Sequence, residues 1–146
     1  MEVTLGTPEH GWVDLRIRDT AFFLHDSISD VPADFIDESV IGLTNLLSTG
    51  EKQEITLGLE PHYYVITFAK NSHVFSFRLE RELEHSHAAE RSFLHKSEGS
   101  FGQILLPFID EFVHFYSGQV CESSWPQANP AHLEGLLKAA AVNKAD

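Results

Sequence analysis

The chain has 146 residues, 42% of them hydrophobic and 22% charged, with ten basic residues against twenty-two acidic ones and a net charge of −12. The length suits one domain with a core of its own, the composition is that of a globular protein, and the charge argues against a nucleic-acid partner, whose phosphates would be repelled. No apolar run approaches the roughly 20 residues that a membrane-spanning helix needs, so no membrane association is expected.

MEVTLGTPEHGW at the N-terminus has neither the basic flank nor the apolar stretch of a signal peptide. Val3–Gly6 fits a short strand. In WVDLRIR, Val13, Leu15 and Ile17 alternate with Asp14, Arg16 and Arg18, the period of a half-buried strand. AFFLHD, at residues 21–26, is a third strand candidate, with Asp19-Thr20 as the turn before it. The first helix follows Pro32. Asp34, Asp37 and Glu38 sit in its first turn, where the helix dipole favours anions. Ile36, Val40, Leu43 and Leu47 make its apolar stripe, and Gly50 stops it. Three strands then form a meander: EITLGLE, ended by Glu60-Pro61; HYYVITFAK, apolar on both faces and therefore central; and HVFSFRLE, with a hairpin turn at Asn71-Ser72.

Residues 80–96, ERELEHSHAAERSFLHK, read as a polar connection beginning where the last strand ends or bulges near Glu80. A second long helix covers residues 100–118. Ser100 and Gln103 have the spacing of a capping box, and Phe101, Leu105, Phe108, Phe112 and Phe115 form its apolar seam. Pro107 predicts either a kink or a start near that residue. After a loop, Asn129 and Pro130 open a short C-terminal helix running to about Val142, which docks on this domain, pairs with a second copy or frays, so a homo-oligomer is one expectation. The elements predict an α+β fold in one domain, residues 1–146. It has a mainly antiparallel sheet of five or six strands, with two long helices on one face.

No P-loop, dinucleotide fingerprint, G-x-S-x-G elbow, HExxH or paired CxxC occurs, so the expectation is a non-catalytic protein without a cofactor. Cys121 is the single cysteine, which rules out an intrachain disulfide and fits a reducing, cytoplasmic location. His114 and His132 are its near histidines in sequence, but no catalytic signature surrounds it. His85 and His87, two apart, share a face only on an unbroken strand, where Glu90 and His95 are candidate further ligands of a metal. On a helix the two imidazoles diverge, so a metal site is the minor alternative. A small-molecule pocket between the sheet and the Phe101–Phe115 seam is another.

Charge is the more informative signal. Residues 19–51 contain seven carboxylates and no lysine or arginine. Asp26, Asp30, Asp34, Asp37 and Glu38 are therefore the candidate contact for a basic protein partner, whose approach such a field would speed. Imidazole titrates near pH 6.5, so full protonation of the nine histidines would take the net charge from −12 to about −3 and weaken such an interaction. The GWVDLRIRD strand, the acidic helix at residues 34–48, the GLEPHYYVITF hairpin and the closing aromatic helix resemble small bacterial proteins of unknown function. Immunity proteins encoded beside polymorphic toxins are among these. The resemblance implies a protein that binds and blocks its partner and needs no catalytic residues.

Overall fold

The computed structural model describes residues 1–83, 90–118 and 125–144. Among these, seven strands form one antiparallel meander in chain order: β1 (Glu2–Leu5), β2 (Trp12–Asp19), β3 (Phe22–Ser29), β4 (Gln53–Gly58), β5 (His62–Asn71), β6 (Val74–Leu83) and β7 (Arg91–Gly99). Helix α1 (Phe35–Thr49) lies between β3 and β4. Helices α2 (Phe101–Ile104), α3 (Leu106–Ser117) and α4 (Pro130–Lys144) follow the last strand.

The strand count exceeds the expected five or six because the supposed polar connection holds β7. The strand β6 runs on to Leu83, and its register against β7 shifts between Leu79, opposite His95, and Glu80, opposite Phe93. Leu94 is therefore an extra residue on β7, and this bulge spoils the alternation by which the strand would have been recognised. Arg81 keeps its inward phase without being buried as a lone charge. It stands exposed beyond the end of the core, beside Tyr64.

The meander is two blocks rather than one surface. β1–β3 and β4–β7 meet at a single residue pair, Ser29 with Gly58. The chain leaving β3 crosses tightly over that joint. A Cβ on Gly58 would lie 1.9 Å from the Val31 carbonyl oxygen, so only glycine fits. From the joint, the β2–β3 hairpin runs across the inner face of the other block. Tyr64 of β5 donates its hydroxyl to Asp26 of β3 at 2.9 Å. At the hairpin tip, Phe22 stacks flat on His95 of β7, with centroids 4.4 Å apart and 3° between the planes. The single sheet thus folds on itself at Ser29 and Gly58, bringing Asp26 to Tyr64 and Phe22 to His95.

Inward residues of both blocks and all four helices share one apolar cluster. Phe108 of α3 fills its centre, 5.1 Å from the Phe68 ring and 5.3 Å from Phe77. Helix α1 starts at Asp34, whose carboxylate accepts from the Ile36 and Asp37 amides at 3.0 and 3.4 Å. It ends at Gly50 in the left-handed conformation.

The helix predicted over residues 100–118 is interrupted at Leu105, two residues before Pro107. Proline lacks the amide that would continue the ladder, so α2 is a single turn and α3 begins anew. The capping contact survives, with Ser100 N donating to Gln103 Oε1 at 2.9 Å. The C-terminal helix is not short. At 15 residues it equals α1, and it packs on α1 of the same chain, with Leu136 and Ala140 buried.

Candidate functional site

The densest cluster of reactive side chains joins the two blocks. Asp19 closes β2 on the inner face, in phase with Ile17. His95 and Ser97 follow the β7 bulge and also point inward. Nε2 of His95 is 2.9 Å from Asp19 Oδ2 and 3.2 Å from Ser97 Oγ, while the Ser97 hydroxyl donates to that same carboxylate oxygen. These contacts, Ser97 foremost and then His95, hold the Asp19 carboxyl down to about 2.

Serine, histidine and aspartate in mutual contact invite comparison with a nucleophile, base and orienting acid. In that machinery the serine and the acid engage opposite nitrogens of the imidazole. Here both crowd Nε2, and the serine proton is given to a carboxylate too acidic to serve as its base. The chemistry available is that of a clasp. It fastens the tip of the β2–β3 hairpin to β7 beneath the Phe22 ring.

The acidic residues singled out by sequence differ in their contacts. Asp26 accepts from Tyr64, and burial together with that carboxylate pushes the Tyr64 hydroxyl up to about 12. Asp30 is half-buried, with its amide bonded to the Gly11 carbonyl at 2.9 Å. Asp34 caps α1 and accepts from the Tyr116 hydroxyl at 3.2 Å; burial raises its carboxyl above the ordinary value. Asp37 pairs with His132 Nδ1 at 2.8 Å, which ties α4 to α1. Glu38 is exposed. Three of the five carboxylates therefore serve contacts within the fold.

His85 and His87 lie outside the described residues, as does Cys121. Glu90 is exposed just ahead of β7, and His95 belongs to the clasp. Among the described residues, no group of three His, Cys, Asp or Glu side chains is placed to hold a metal ion. The Phe101–Phe115 seam is packed into the core, with one cleft beside its Phe101 end and another beside its Phe115 end.

The outer face of β4–β7 carries a second cluster that sequence reasoning missed. Cross-strand register aligns Glu54, Thr67 and Arg78 in one row, Val65, Glu80 and Phe93 in the next, and Tyr63, Glu82 and Arg91 in a third. Arg91 bridges the rows. Its Nε is 2.9 Å from Glu82, and its Nη1 is 3.1 Å from Glu54 and 3.8 Å from Glu80. Glu80 also takes Arg78 at 3.0 Å. The Arg78 guanidinium stands 4.9 Å over the ring of Phe93, which is 57% exposed. Beneath these long side chains, Val65 is buried although it faces outward. The alternation of Arg78, Glu80 and Glu82 was a readable signal. Phe93 was not, because its strand went unrecognised. A smaller counterpart lies on the other block, where Arg18 stands 5.5 Å over the exposed ring of Phe23.

No family model matches the chain, and neither does any curated protein or solved structure.

Proposed function

We propose that the chain is a non-catalytic protein-interaction module, of the immunity type its sequence resembles, binding a basic partner through the outer face of β4–β7. Phe93 carries this reading: a large aromatic, more than half exposed, standing on the edge strand of the sheet with Arg78 over its ring and the Arg91 ion pairs beside it. Exposed aromatics flanked by arginine are the composition of interface anchors. Arg78 and Arg91 are already held by ion pairs, which reduces the side-chain entropy lost on contact. Glu54, Glu80 and Glu82 give the patch its carboxylates, and the net charge of −12 supplies a long-range field that steers a cationic protein toward the chain. The clasp supports the same reading, since its serine gives its proton to the Asp19 carboxylate rather than to the histidine.

The test uses the whole chain and a Phe93→Asp variant as bait in lysate of the source cells. The expected result is a basic protein captured by the native chain at low salt, released as ionic strength rises, and lost in the variant. Capture of the same proteins by both baits would overturn the assignment.

A further inference from the structure

The geometry points to a separate binding site for a small organic anion, in the cleft where the β5–β6 turn, the start of α2 and the last turn of α4 meet. The cleft has a volume of about 470 Å³, within the range of ligand pockets. Its cations are Lys70 at the end of β5 and Lys144 at the end of α4, with His73 from the turn beside them. Ser100 adds a hydroxyl, and Phe75, Phe101 and Leu106 add apolar surface.

Two features distinguish this cleft from the rest of the surface. The first is charge. Acidic residues outnumber basic ones by more than two to one in the chain, yet no carboxylate lines the cleft among the described residues. Two of the five lysines converge there. Lys96 and Lys138 are neutralised by Glu98 and Glu134, both at 2.6 Å. Lys70 and Lys144, like Lys52, form no ion pair among the described residues, and Lys70 has the Asn143 amide oxygen at 3.4 Å. The second feature is the floor. The Lys70 ammonium lies 5.2 Å from the centroid of Phe75, whose ring meets Phe101 edge-on at 5.9 Å. Cations above an aromatic floor fit a molecule with an anionic head and an apolar body.

The ligand class is therefore a carboxylate or phosphate monoester attached to a compact apolar group. A polyanion such as nucleic acid is disfavoured, because its remaining charges would lie in the field of a chain at −12. The site is assembled from residues 70–75, 100–106 and 143–144, and it exists because α4 docks on its own chain with its basic end at the cleft.

The experiment is an amide NMR titration of the whole chain with benzoate, phenyl phosphate, inorganic phosphate and benzyl alcohol. Benzoate or phenyl phosphate is expected to shift the amides of residues 70–75, 100–102 and 144, with a Kd of roughly 1 mM or tighter. Inorganic phosphate should bind more weakly and benzyl alcohol should leave the spectrum unchanged; the two aromatic anions decide between a carboxylate and a phosphate head. Lys70→Gln and Lys144→Gln should each weaken binding about tenfold. Lys144 is exposed in the last helical turn, so its variant keeps the fold and the test stands even if the other does not. Saturation by benzyl alcohol as readily as by the anions, unchanged affinity in Lys144→Gln, or no shift up to about 10 mM of either aromatic anion would overturn the site.

Discussion

Replacing Gly58 by alanine tests the central claim about the fold, that two sheet blocks turn against each other at one joint. The added Cβ would stand 1.9 Å from the Val31 carbonyl oxygen, where ordinary contact begins near 3.4 Å. The crossing chain must retreat by about 1.5 Å, and the obstacle is backbone rather than the end of a flexible side chain. That retreat breaks the one ladder pair between β3 and β4. Overpacking in a rigid setting costs about 1–3 kcal/mol, and loss of the joint adds to it. The expected destabilisation is about 3 kcal/mol or more, a large fraction of a typical total of 5–15 kcal/mol. Gly135→Ala is the control. Its Cβ would meet Thr44 Cγ2 at an ordinary 3.7 Å, so the helix preference of alanine should stabilise the chain by roughly 0.5–1 kcal/mol. Urea denaturation of the three proteins, with midpoints and slopes compared, measures both. If Gly58→Ala unfolds within about 1 kcal/mol of the native chain, the joint is not as drawn.

Two further outcomes follow from the contacts. A carboxyl at about 2 in the fold against 3.8 when unfolded stabilises the native state when ionised. For Asp19 this gain is complete above about pH 4 and lost as pH falls through 2. The stability difference between the native chain and Asp19→Ala should therefore be about 1–2 kcal/mol larger at pH 5 than at pH 2, and a flat difference would refute the clasp. Asp34→Ala removes the α1 cap and the acceptor of a half-buried tyrosine hydroxyl, so denaturation should register a loss of about 1–2 kcal/mol.

The apolar positions were legible in the sequence wherever periodicity was unbroken. Val13, Leu15 and Ile17 face inward as their alternation required, and Ile36, Val40 and Leu43 are buried along one stripe of α1. Local chemistry also marked the interruption near Pro107 and the start of α4 at Pro130, while Asp34, expected in the first turn of α1, is its cap instead. The strand β7 was not legible, because its bulge makes Phe93 and Leu94 adjacent apolar residues on an exposed edge, where neither period applies.

Tertiary structure alone decided which polar residues meet. Among the acids of residues 26–38, the fold gives Asp26 to Tyr64, Asp34 to Tyr116 and Asp37 to His132. The same folding gathers Asp19 with residues 95 and 97, Glu54 with Arg91, and Lys70 with Lys144, none of them neighbours in the chain. Hydrophobic periodicity is a local property set by the backbone repeat, and it survives in a single sequence. Pairings of charge depend on where the corner at Gly58 turns the hairpin and where α4 comes to rest, and those are properties of the packed whole.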